Sequence, residues 1–277
     1  MTSGFTEMWT DRIRKTVQLS LISGALLQAF ALPSFADAAY DNYLYAQKAI
    51  QNGEWKQALT YLGKAVQADP KYLNAFIARG FVYSRLGKLE DSLAEYDKVL
   101  KVAPQNPIAL GNKGFCLYRL GRYKEALEAL NKSLELDPER ADFLANRGEV
   151  FLKLGQTDAA IADCSRAIHL DDSDADSYLT RGDAFVGQNK LKEALKDYSK
   201  AIALNPDPVH MYHAEGESYY KRGQLYLKMG KNAAGERDLL TSKEAGFKPV
   251  SSSAAPLSTG STTAVTKDSA PPVESRK

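Results

Sequence analysis

The sequence is poor in the residues that most chemistry requires. Of its 277 residues two are cysteines, Cys116 and Cys164, too few for a disulfide framework or a thiolate zinc site. Three are histidines. His210 and His213 stand three apart with Glu217 a turn further on, which places them on one face of one helix. Without ligands from a second element that face is no metal site. His169 falls where a second helix ends, a place that suits its cation. No phosphate-cradling glycine loop, zinc-binding H-E-x-x-H or nucleophile elbow is present. The carboxylates are scattered over helical faces, and no nucleophile–base pair emerges. These absences point to a protein that is not an enzyme and needs no cofactor or metal. The net charge of only +2 gives no field to recruit nucleic acid or an anionic membrane.

Long apolar runs are also missing, with one exception. Residues 17–32 are apolar or uncharged throughout, behind the basic flank of Arg12, Arg14 and Lys15. Pro33 follows, and Ala36-Asp37-Ala38 supplies small residues ahead of an expected cut before Ala39. The run falls short of the roughly 20 residues that a spanning helix needs, so residues 1–38 read as a signal peptide. The alternative is an uncleaved anchor. With cleavage the mature chain is exported, periplasmic or secreted, and not inserted in a membrane. Residues 248–277 are rich in Ser, Thr, Ala and Pro and hold no aromatic. They offer too little apolar surface to offset ordering entropy, which predicts a disordered tail.

Between these ends the chain repeats every 34 residues. Gly80, Gly114, Gly148 and Gly182 recur in phase. So do Ala58, Ser92, Ala126, Ala160 and Ala194, and so do Pro70, Pro104, Pro138 and Pro206, with Asp172 in the vacant slot. A glycine inside a helix costs roughly 1 kcal/mol against alanine, so its recurrence predicts close helix approach. Gly53, Gly87, Gly121 and Gly155 stand where a left-handed residue closes a helix, and Asn189 takes that place in the fifth unit. Leu62, Tyr96, Leu130 and Tyr198 fill the seam between paired helices, and proline ends the second helix.

In length and pattern the chain resembles the tetratricopeptide repeats, from Ala39 to about Phe247. The resemblance implies an all-α fold, a right-handed superhelical solenoid of antiparallel helix pairs. Five regular units span 39–72, 73–106, 107–140, 141–174 and 175–208, and a divergent sixth spans 209–247. In the sixth, residues 209–215 are an insertion that either lengthens the first helix by about two turns or forms a loop. The last helix, about 233–245, is charged as a terminal cap requires. The two cysteines lie on helices that are not neighbours in such an array, which predicts buried, unpaired thiols.

In this family certain first-helix residues line a concave groove. The resemblance carries that role to Tyr43, Gln47, Ile77, Phe81, Arg85, Asn112, Phe115, Tyr118, Arg119, Asn146, Glu149 and Asp183. Tyr40, Ile108, Asp176, Glu217 and Tyr220 share equivalent places. The groove is graded: aromatic and aliphatic with two arginines in its first half, mostly acidic in its second. Aromatics and arginine dominate binding hot spots. Phe81 and Phe115 either meet a ligand or pack along the inner wall. Asn112 and Asn146 either bond the backbone of an extended ligand or make local contacts. A subclass of the family grips acidic chaperone tails with a ring of Lys, Asn and Arg. Here those places hold Tyr43, Gln47, Ala78, Ile108 and Asn112, which disfavours that partner. The expected function is a non-catalytic adaptor for a peptide or protein segment with apolar anchors, basic at one end. The alternative is a self-associating envelope scaffold, and the oligomeric state stays open.

Overall fold

The computed structural model describes residues 35–204 and 214–249. Twelve α-helices make up its regular structure, and no strand occurs among the described residues. They pair as α1 (Phe35–Gln51) with α2 (Trp55–Ala68), α3 (Leu73–Arg85) with α4 (Leu89–Val102), and α5 (Pro107–Arg119) with α6 (Tyr123–Leu136). Then come α7 (Ala141–Lys153) with α8 (Thr157–Leu170), α9 (Ala175–Gly187) with α10 (Leu191–Leu204), and α11 (Ala214–Lys228) with α12 (Asn232–Glu244).

Local chemistry sets the ends. Asn106 caps α5 by accepting the Ala109 amide at 2.9 Å, with Pro107 in the first turn. Asp174 caps α9 through the amides of Asp176 and Ser177. The first helices of units one to four close on Gly53, Gly87, Gly121 and Gly155 at φ of +72° to +75°. Asn189 does the same at +58°. Helices α2, α4 and α6 stop two residues before Pro70, Pro104 and Pro138, and α8 stops two before Asp172.

The recurring glycines let each hairpin close. A β-carbon on Gly80 would stand 2.7 Å from the Tyr96 ring, on Gly114 2.6 Å from Leu130, on Gly148 2.5 Å from the Cys164 sulfur, and on Gly182 2.5 Å from the Tyr198 ring. Real β-carbons do not approach that closely, so the seam residue and the glycine define one another. Ala58, Ser92, Ala126, Ala160 and Ala194 are fully buried beside them. Cys116 and Cys164 are buried and unpaired.

Units join in two ways. Each second helix packs on the next first helix, without a break from α2–α3 through α10–α11. Successive first helices also touch, α3 with α5, α5 with α7 and α7 with α9, whereas no two second helices pack comparably. First helices therefore lie on the inner wall of the curve. At the joint between units three and four, Phe143 is 1% exposed and its ring lies on Gly111, leaving no room there for a β-carbon.

An ionic staple runs along the outer seam. In units two, four and five the seventh residue, and in unit six its equivalent past the insertion, is an arginine that grips an acid on its own second helix: Arg79 with Glu95, Arg147 with Asp163, Arg181 with Asp197, and Arg222 with Asp238, at 2.6–2.8 Å. Arg147, Arg181 and Arg222 also donate to Asn131, Ser165 and Ser199 of the preceding second helix. Aromatic rings flank the guanidinium, such as Tyr178 and Phe185 around Arg181. Unit three departs at every place together. It has Lys113 for arginine, Ala129 for the acid, and Leu110 and Leu117 for the rings. Its lysine turns back to Asp97 of unit two at 2.6 Å. In unit one the pair becomes Tyr45 against Tyr61, centroids 5.5 Å apart.

The ends differ from the middle. Helix α1 begins at Phe35, so the expected cut before Ala39 falls inside a helix. There Asn42 donates to the Ala38 carbonyl at 2.7 Å, and Ala39 is 1% exposed. At the far end Phe247 folds back on Tyr220, centroids 5.3 Å apart, and on Gly216. The expected insertion at 209–215, with His210 and His213, lies outside the described residues except where α11 begins at Ala214. The expected tail lies outside them from residue 250 onward. No helix among the described residues is long and apolar enough to cross a membrane.

Candidate protein-binding groove

The first helices present one row of equivalent side chains to the inner wall, and the row changes character midway. The ninth residues of units one to five are Gln47, Phe81, Phe115, Glu149 and Asp183, and past the insertion Gln224 takes the equivalent place. In the first half, Phe81 is 37% exposed and Ile108 39%. Phe81 stands edge-on to Trp55, and the Arg85 guanidinium lies over both rings at 6.0 and 5.3 Å. Arg119 lies over Phe115 at 5.7 Å and is itself exposed. Tyr43 meets Tyr72 edge-on at 5.3 Å.

Phe115 and Ile77 sit deeper in the wall than Phe81 and Ile108. Both are partly buried against the central core cluster and hold the wall together. Phe81 is the more open of these rings, with Trp55 edge-on and Arg85 over it. Gln47, Asn112 and Asn146 are half-buried along the same wall.

The second half is a connected polar cluster. Tyr118, packed on Tyr123 at 6.0 Å, lies near Glu149 across the unit boundary, and each shifts the other's protonation. Burial pushes the Glu149 carboxyl up to about 7, against the lowering influence of the nearby Tyr118, with Asp176 raising it further and Lys153 and Lys221 opposing. Burial also raises Tyr118, with the neighbouring Glu149 charge next in weight. Asp176 reaches solvent at its edge, yet lost solvation, then Asp174 and Glu217, raise its carboxyl. Asp183 accepts from the Tyr198 hydroxyl at 2.7 Å and from Lys221, which also bridges Glu217 at 3.0 Å. Burial works against the Lys221 charge, but Asp183 and Glu217 outweigh it and raise its pKa. Four carboxylates, Glu149, Asp176, Asp183 and Glu217, thus face two ammonium groups, Lys153 and Lys221.

Three contributors are absent from the sequence-level set. Trp55 begins a second helix and reaches the groove only through folding. Tyr198 is a seam residue whose hydroxyl extends past Gly182 to Asp183. Lys221 was legible, since it sits four residues after Glu217 on a helix. Among the described residues no group of three or more His, Cys, Asp or Glu is placed to hold a metal ion.

A curved stack of helical hairpins with a side-chain-lined inner wall defines a helical-repeat solenoid. The chain belongs to the tetratricopeptide-repeat family, matching it over residues 43–107, 77–141, 117–175 and 182–230. No curated protein matches the chain. Solved structures share the fold. The type IV pilus biogenesis factor PilW has a TM-score of 0.64 at 18% identity, over 74% of this chain and 92% of that one. Pseudomonas aeruginosa pilF has 0.62 at 22%, over 76% and 92%. YrrB, described as a TPR protein with an unusual peptide-binding site, has 0.50 at 23%, over 66% and 91%.

Proposed function

We propose that this protein is an exported, non-catalytic adaptor that holds a segment of another protein in its concave groove. The observation that supports this best is the exposure of Phe81 and Ile108 on the inner wall, where Ile77 and Phe115 pack against the core. Water-facing apolar side chains in a concave strip suit a partner better than they suit solvent. A micromolar dissociation constant, about −8 kcal/mol, is ordinary for such a groove. YrrB offers a precedent in the same fold for binding a peptide. The test is cross-linking capture from the source cells with the wild-type chain and with Phe81→Ser/Ile108→Ser. A partner held only by the wild type, with equal helix content by circular dichroism, supports the adaptor. Equal capture by both chains overturns it.

A second reading, self-association, draws on α1. Tyr40, Leu44 and Tyr45 are 53%, 46% and 57% exposed at the open end of the array. A dimer that persists on dilution in sedimentation experiments and is lost on Leu44→Glu favours this scaffold. Export rests on residues 12–38, and the mass of the mature chain decides it. A cut before Ala39 removes the first turn of α1 and the carbonyl that Asn42 uses.

A further inference from the structure

The two halves of the groove differ in polarity, and that difference specifies an occupant. Its first half offers an apolar strip, Phe81 and Ile108, and its second half offers Glu149, Asp176, Asp183 and Glu217. Apolar ground continuous with surplus carboxylate complements a segment that carries both an apolar anchor and a cation. The chain already shows the interaction on itself. The Lys221 ammonium is seated between Asp183 and Glu217. It reaches two of the four carboxylates; Glu149 and Asp176 form no salt bridge with either lysine, although both lysines influence Glu149.

We infer that the groove takes a protein segment with an aromatic or aliphatic anchor at units two and three and a lysine or arginine at units four and five, where the incoming cation competes with Lys221 for carboxylate. This rests on the groove reading above and names the partner's chemistry. Neighbouring helices stand about 8–10 Å apart, so two units span about 20 Å. An extended chain covers that in about six residues at roughly 3.3 Å each.

Protonation tunes the site. The groups facing Glu149 are Tyr118 from α5, Cys164 from α8, Asp176 from α9, Lys221 from α11 and Lys153 on its own helix. Its carboxyl changes charge near pH 7. A cation binds the ionised form better, so affinity rises from pH 6 to pH 8 and binding below neutrality releases a proton.

The probe is a library of random twelve-residue peptides selected on the full-length chain. Selected peptides are expected to carry an apolar anchor and a lysine or arginine about six residues apart, and to bind about three- to tenfold tighter at pH 8 than at pH 6. Glu149→Gln flattens that profile. Asp183→Asn/Glu217→Gln weakens binding about tenfold. Lys221→Gln tightens it about threefold, a gain that damage to the fold does not produce. Peptides without a basic residue, still lost on Phe81→Ser, overturn this inference and leave the groove reading standing. Failure to select any peptide, or peptides indifferent to Phe81→Ser, overturns both.

Discussion

The outer seam and the inner groove both run on charged side chains, and they use them in opposite ways. Along the seam each arginine meets one acid of its own unit, and the leftover donors of Arg147, Arg181 and Arg222 reach the preceding helix, with rings over the guanidinium faces. Charge and hydrogen-bond capacity close within the fold. In the groove, four carboxylates share two ammonium groups, and one carboxyl is held near its titration point. Ion pairs that close stabilise an interface, whereas a surplus held at a concave wall is available to something else. Unit three sharpens the contrast. Where its seam loses the acid, the lysine and Asp97 compensate together, whereas in the groove the influence of Lys153 and Lys221 does not offset the burial of Glu149.

Breaking the joint between the halves has the largest expected effect. Phe143→Ala empties the site over Gly111 and costs about 3–5 kcal/mol. Because repeats contact only their neighbours, urea unfolding is expected to split into two steps, units one to three and units four to six. Next comes the seam. Arg147→Ala leaves Asp163, whose side chain is 8% exposed, buried without its partner, for about 3 kcal/mol in urea midpoint experiments. The groove carboxylate is expected to act in the other direction. The folded chain holds the Glu149 proton up to about pH 7, and the unfolded chain releases it near 4.5. Its contribution to stability is thus complete below pH 4.5 and lost as pH rises through 7. Glu149→Gln removes that loss and gains about 2 kcal/mol over wild type between pH 5 and pH 8, read from paired unfolding curves. The smallest effect belongs to Asp97→Asn. Its partner Lys113 and Asp97 itself are 31% and 57% exposed along their side chains, so the cost stays under about 1 kcal/mol. A larger loss there shows that unit three's rewired pair closes as tightly as the others.

Much of the fold was legible because each repeat is defined by contacts at fixed sequence distance. Gly80 and Tyr96 are sixteen apart, as are Gly182 and Tyr198, so a local pattern encodes a packed pair. The staple follows the same interval, from Arg79 to Glu95 and from Arg147 to Asp163. It was missed because charged residues on helices usually signify solvent. Phe115 had two readings, ligand contact or wall, and its period alone offers no choice between them. The structure leaves the ring half-buried against the core, with its remaining face on the wall.

By itself the sequence determined the hairpins, their number within the regular array and the wall on which the ninth residues fall. Those depend on backbone preferences and on partners a constant distance along the chain. Only the tertiary structure decided which wall residues remain free, that Trp55 and Tyr198 reach the groove, and that Lys221 lies among carboxylates from other helices. Those outcomes depend on how side chains from different units share space and solvent, and such distances are set by the stacking of hairpins.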